Sequence, residues 1–278
     1  MQLVLWACTE LTPFAAEQAR FEAELLLAFA LDKPRVYLHS WPEATPDKET
    51  QSLYQQLIHK RLSGTPIAYL TGQREFWSLA LQVNPHTLIP RPETETLVEK
   101  VLQQIRHIQS PQVIDLGTGS GAIALAIASE RPDAQVTASD SSHAALKVAR
   151  HNAQHLKLNN ITFMQTNWCQ NLPLNHYHLI VTNPPYIASD DHHLNEGDVR
   201  FEPVSALSSG IEGLDDIRVI CQNAGKHLLT GGWLSLEHGF DQAEAVRTIL
   251  GQENFSHLGH ACDLAQIPRI SWGQKVST

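Results

Sequence analysis

From Glu17 to about Ser63 the apolar positions recur at helical spacing: Phe21, Leu25, Leu26, Phe29 and Ala30 first, then Leu53, Leu57, Ile58 and Leu62. No strand-like alternation interrupts them. The run from Phe76 to Ile89 is β-prone and holds Asn84-Pro85, a turn signal that predicts a β-hairpin joining two domains, with a boundary near residue 75. Beyond Pro92 short apolar strands alternate with helical stretches, the pattern of an α/β protein with a mostly parallel sheet covered on both faces. Five such strands are expected: Val113–Leu116, Gln135–Ser139, Ile161–Gln165, His178–Thr182 and Trp233–Glu237. Two further β-like runs, Ser256–Ala261 and Arg269–Trp272, have no helix between them and are expected to pair as an antiparallel edge. The expected organisation is a helical domain over 1–74, a β-hairpin linker over 75–92 and a sheet domain over 93–278.

Composition narrows the classes. A chain of 278 residues, 42% hydrophobic and 18% charged, can bury about three quarters of its unfolded surface without a covalent staple. Its formal charge of -9 argues against a phosphate backbone as the main partner. The acidic excess lies almost wholly beyond residue 74, with a cluster from Asp190 to Asp216 that reads either as a solvated loop or as a surface steering a basic partner. Cys8, Cys169, Cys221 and Cys262 have no paired spacing and are read as reduced thiols of a cytoplasmic protein. No apolar stretch is long enough to span a bilayer.

The string Val113-Ile114-Asp115-Leu116-Gly117-Thr118-Gly119-Ser120-Gly121, followed by an Ala-rich stretch, reads as strand, glycine turn and helix start. Glycines let the backbone approach a ligand, and amides at a helix N-terminus attract negative groups. Alone the run also fits a relaxed dinucleotide fingerprint. Asp140, 19 residues past Gly121, follows the second strand, where a carboxylate can accept from both hydroxyls of an adenosine ribose. At the end of the third strand Asn167 can meet the adenine edge and Trp168 can lie against its ring.

The fourth strand runs into Asn183-Pro184-Pro185-Tyr186. An amide or exocyclic amine has a delocalised lone pair and is a poor nucleophile until it is oriented. The side-chain oxygen of Asn183 and the main-chain carbonyl of Pro184 can accept its two N–H groups, and Tyr186 can stack on its plane. Proline stiffens the turn that presents the carbonyl. No strong base is needed, because the cationic product can lose its proton to water, so positioning carries the rate.

These residues resemble the S-adenosylmethionine-dependent methyltransferases, and specifically the release-factor glutamine N5-methyltransferases. The resemblance extends to Gly64 to Gly72, Ile89-Pro90-Arg91-Pro92-Glu93-Thr94-Glu95, and Gly197 to Pro203. It implies a small N-terminal helical domain that recognises the protein substrate, a hairpin, and a seven-stranded Rossmann-like methyltransferase domain. It further implies that the substrate is the glutamine of the Gly-Gly-Gln loop of peptide chain release factors, proteins of translation termination; the chain itself is expected to be a cytoplasmic monomer. On this likeness Gly117, Thr118, Gly119, Ser120, Gly121, Asp140, Trp168 and Asn183 would bind S-adenosylmethionine, leaving S-adenosylhomocysteine, and Asn183, Pro184, Pro185 and Tyr186 would hold the amide. Asn167 departs from the Asp that relatives commonly carry, though an amide can both donate and accept.

A nucleic-acid adenine N6-methyltransferase is the rival reading, since that amine poses the same orientation problem. The chain shows no basic stripe to hold a nucleic acid. A non-enzymatic adenosine-binding module leaves the Asn-Pro-Pro-Tyr string without a purpose. The 15 histidines carry no zinc-binding string, and no metal is expected.

Overall fold

The computed structural model describes residues 2–276 and falls into two compact units, one ending at Gln73 and one beginning at Arg74. The first is all-helical: α1 (Gln2–Ala15), α2 (Ala19–Ala30), α3 (Val36–Ser40), α4 (Lys48–Leu62) and α5 (Ile67–Thr71). Helix α1 lies upstream of the periodic stretch, and Pro13 within it weighs against reading a helix from sequence. Leu11, Ala23, Leu26, Tyr54 and Ile58 are fully buried between the helices, and the Tyr54 hydroxyl donates to the Ala23 carbonyl at 3.0 Å. Inside this core Arg61 meets Glu22 through two hydrogen bonds of 2.8 Å. Removing either partner would strand a buried charge, at about 3–5 kcal/mol.

The second unit starts with a hairpin, β1 (Gln73–Phe76) and β2 (Leu79–Gln82), β1 beginning on the last residue of the first unit. Its turn is Trp77-Ser78, at φ 53° and 58°, the left-handed pair that a two-residue hairpin demands. The expected hairpin over 75–92 is therefore shifted. Asn84-Pro85 does form a turn, closed by the Thr87 amide on the Asn84 carbonyl at 3.0 Å, but it lies beyond the hairpin. Nor are the two strands a free linker. Phe76 and Leu81 sink into the sheet domain's core, and Asn152 clamps Gln82 by both its amide and its carbonyl.

There follow α6 (Glu95–Ile105), β3 (Gln112–Leu116), α7 (Ala122–Glu130), β4 (Gln135–Asp140), α8 (His143–His155), β5 (Ile161–Gln165) and β6 (Tyr177–Thr182). The chain ends with α9 (Asp215–His227), β7 (Leu228–Glu237), α10 (Ala243–Gln252), β8 (Phe255–Cys262) and β9 (Pro268–Lys275). The seven-stranded sheet has the order β5-β4-β3-β6-β7-β9-β8. Only the pairings through β9 are antiparallel, the edge pair that the sequence predicts. Continuous burial along β3 and β6 reflects helices on both faces. The chain runs from β3 out to β5, then returns to build β6 and β7 on the other side. The strand order thus reverses between β3 and β6, where a crevice opens at the carboxyl ends. No helix among the described residues is long and apolar enough to cross a membrane.

Candidate active site

Leu116 of β3 pairs with Thr182 of β6, so Gly117 and Asn183 leave the sheet side by side. Both line a cavity of about 350 Å³. Its first wall is the turn from Gly117 to Ser120, its second the end of β4 at Asp140, and its third Thr166, Asn167 and Trp168 after β5.

The glycine wall is backbone. Gly117 adopts φ 72°, and a Cβ there would lie 3.1 Å from Cζ3 of Trp168. Gly121, at φ 89°, starts α7, and a Cβ would meet Leu125 at 2.9 Å. Asp140 accepts from the amides of Gly119 at 2.9 Å and Ser142 at 2.8 Å, which ties the second strand to the glycine turn. Burial raises its carboxyl above the usual range. Beneath the turn Asp115 is fully buried and accepts the Thr118 hydroxyl at 2.6 Å. Among the described residues its other oxygen has no hydrogen-bond partner. Burial lifts the Asp115 carboxyl to about 7, against the pull of the Thr118 hydroxyl and the Ala124 amide.

Asn167 is exposed at the rim. Trp168 lies against Gly117 in the left-handed region at φ 47°, a conformation that costs a bulky residue about 1–2 kcal/mol. Its indole N–H donates to Asp216 at 2.8 Å, and Asp216 in turn accepts from Ser209 at 2.7 Å. The acidic segment is therefore more than a solvated loop. Glu202 is also turned inward, taking the Ile89 amide at 2.9 Å and pairing with Arg91. That pair fastens the stretch before α6 to the 203–206 turn, and both line the cavity.

On the β6 side Pro185 and Asn183 line the cavity, whereas Pro184 and Tyr186 do not, and on the β3 side Gly121 does not. Asn183 Nδ2 donates to the Thr94 hydroxyl at 3.2 Å, and Thr94 donates to Glu237 at 2.6 Å. The Tyr186 hydroxyl reaches the other Glu237 oxygen at 3.2 Å. Tyr186 is thus anchored against the core, and its ring is not one of the cavity walls where stacking on an amide was expected. Burial pushes Glu237 above the ordinary carboxylate range, with the Thr94 and Tyr186 hydroxyls opposing. The Tyr186 phenol is also raised, by burial first and by Glu237 beside it. Gln242 donates to the Tyr186 carbonyl at 3.0 Å and steadies the loop. Among the described residues nothing donates to the Pro184 carbonyl or to Asn183 Oδ1.

Thr94, Glu202, Glu237 and the orphan oxygen of Asp115 were missed by sequence reasoning. Thr94 stands in the Arg91-Pro92-Glu93-Thr94 string with nothing beside it to mark its distant partners, and Glu237 reads as an ordinary strand end. The loop after β6 also gathers Asp191, His192 and His193, with His193 Nδ1 at 2.7 Å from Asp191.

The family model described as Methyltransferase small domain matches residues 92–199, and that described as PrmC N-terminal domain matches residues 2–72. The chain is 49% identical over 255 residues to a release factor glutamine methyltransferase of Xylella fastidiosa, covering 92% of this chain and 93% of that protein. It is 50% identical over 256 residues to the protein of the same name from Pseudomonas aeruginosa, covering 92% of each. Among solved structures the hMettl16 catalytic domain in complex with MAT2A 3′UTR hairpin 6 aligns with a TM-score of 0.59, covering 80% of this chain and 82% of that one. At 16% identity that likeness is one of fold.

Proposed function

The chain belongs to the release factor glutamine methyltransferases, and from that premise we propose that it methylates the side-chain amide nitrogen (N5) of the glutamine in the Gly-Gly-Gln loop of peptide chain release factors. The observation that carries this reading is that the glycine turn and the Asn183 loop leave adjacent strands and line one cavity.

S-adenosylmethionine supplies, when bound, a methyl group on a positively charged sulfur that needs no further activation. The residues present suit such a donor. Asp140 lines the cavity beside the glycine turn, where its carboxylate can accept from the hydroxyls of a ribose. Gly117, Thr118, Gly119 and Ser120 bring the backbone close to the ligand, Gly121 starts α7 behind them, and Asn167 and Trp168 serve the adenine. Asn183 Oδ1, in the cavity wall, is one acceptor for the N–H groups of a primary amide, and the Pro184 carbonyl, on the same loop but outside that wall, is the second. Each is free of internal donors among the described residues. As the new C–N bond forms and the C–S bond breaks, the nitrogen becomes cationic, and its proton passes to water. Preorganised acceptors are worth roughly 2.7–4 kcal/mol each by analogy with other polar contacts to a transition state.

The enzyme acts as a monomer in the cytoplasm, and its helical unit contacts the protein substrate away from the reacting loop. The test is mass spectrometry of a purified release factor after incubation with the chain and S-adenosylmethionine, with DNA and RNA present as competitors. One added methyl on the loop glutamine is expected. Transfer to adenine in place of glutamine would replace this reading with the nucleic-acid one.

A further inference from the structure

The Thr94 hydroxyl stands between two partners with opposite demands. On one side the Thr94 hydroxyl donates to one Glu237 oxygen at 2.6 Å while the Tyr186 hydroxyl donates to the other, so Glu237 accepts from both and the Thr94 proton is committed there. On the other side Asn183 Nδ2 lies 3.2 Å from the Thr94 oxygen, which has only lone pairs left to offer. The donor end of the amide must therefore face Thr94, and the acceptor end faces away.

We propose that Thr94 and Glu237 are positioning residues that set the polarity of the Asn183 carboxamide. A directional hydrogen-bond chain, Glu237 to Thr94 to Asn183, holds Oδ1 toward the nitrogen to be methylated. This rests on the reading above, in which Asn183 accepts from a primary amide. Turned by half a rotation about its last torsion, Asn183 would present its own NH2 to the NH2 of the substrate, donor against donor. The two orientations have nearly the same shape, so packing hardly distinguishes them; the Thr94 oxygen and the Glu237 carboxylate, which the Asn183 amide also meets, do.

Three further observations agree. Thr94 is helical at φ -65° and ψ -19°, the last residue of a short 3-10 turn running into α6, so its hydroxyl has no capping duty and is turned to Glu237 and Asn183. The pairing of Thr182 with Leu236 brings the next residues, Asn183 and Glu237, to the same end of the sheet. Glu237 is only 2% exposed, and its second oxygen is occupied by the Tyr186 hydroxyl, so the same carboxylate holds both ends of the Asn183 to Tyr186 loop.

The test is steady-state methylation of a full-length release factor by the full chain carrying Thr94→Val, Thr94→Ser or Glu237→Gln. Valine keeps the shape and removes the hydroxyl, serine keeps the hydroxyl, and glutamine offers an N–H that can reverse the chain. Thr94→Val and Glu237→Gln are expected to lower kcat about 10- to 100-fold, as loss of supporting partners does elsewhere. KM for the release factor and Kd for S-adenosylmethionine should stay within about threefold of wild type, since only orientation is lost. Thr94→Ser should restore most of the rate. Wild-type kcat in Thr94→Val, or Thr94→Ser as slow as Thr94→Val, overturns the proposal. So does an atomic-resolution structure of the wild-type chain with Asn183 Oδ1 turned to Thr94, a measurement that needs no variant to fold. A wild-type chain that leaves the release factor unmethylated overturns the functional reading instead.

Discussion

The two sides of the cavity are built on different principles. The side after β3 is made of backbone: glycines in left-handed turns, the amides of Gly119 and Ser142 on Asp140, and the start of α7. The side after β6 is made of side chains linked by hydrogen bonds of fixed direction, from Glu237 through Thr94 to Asn183. A backbone wall recognises a ligand by shape, and at Gly117 and Gly121 an added carbon would meet a neighbouring side chain. A hydrogen-bonded wall recognises by polarity and is insensitive to small changes of shape. Substitutions on the two sides should therefore fail in different ways.

The largest effect is expected at Asn183. Asn183→Ala removes one of two acceptors and should lower turnover by about a hundredfold or more, measured as methyl groups transferred to the release factor under saturating donor. On the backbone side Gly117→Ala adds a carbon 3.1 Å from the Trp168 ring at a φ of 72°. It should weaken S-adenosylmethionine binding about tenfold or more by calorimetry, with kcat at saturating donor much less affected. Comparable losses of kcat in both variants would erase the distinction between the walls.

The smallest effect concerns stability. Burial lifts Asp115 to about 7, so the folded, ligand-free chain holds a proton there that the unfolded chain has already lost. Stability from this group therefore falls as pH rises toward 7 and levels off above it. Asp115→Asn lacks the titration, so between pH 6 and pH 8 the variant should gain roughly 1 kcal/mol relative to wild type. Thermal unfolding at the two pH values reads this directly. A constant difference between variant and wild type would contradict it.

The same division explains what could be read from sequence. The backbone wall is a contiguous string, Asp115 to Gly121, with Asp140 at a fixed distance, because one turn needs its glycines together. Asn183 to Tyr186 is also contiguous, so that loop was legible too. Its support was not: Thr94 lies 89 residues from Asn183 and 143 from Glu237, and only the sheet register joins them. Nor does a lone glutamate at a strand end differ in sequence from a solvated one, which also hid Glu202. The hairpin was misplaced because Trp77-Ser78 carries neither Asn nor Gly, while Asn84-Pro85 carries a strong turn signal just beyond it. The seven strands were found in kind and order, but β7 starts five residues earlier than the apolar run, as Leu228–Glu237, because Gly231-Gly232 dilutes its pattern.

The most direct measurement is the Kd of S-adenosylmethionine for Asn183→Ala, taken on the same sample whose turnover has been measured. If orientation of the acceptor nitrogen is what Asn183 supplies, Kd should stay within about threefold of wild type while turnover falls about a hundredfold. A Kd that weakens in step with turnover would contradict the account and make Asn183 a residue of the donor wall.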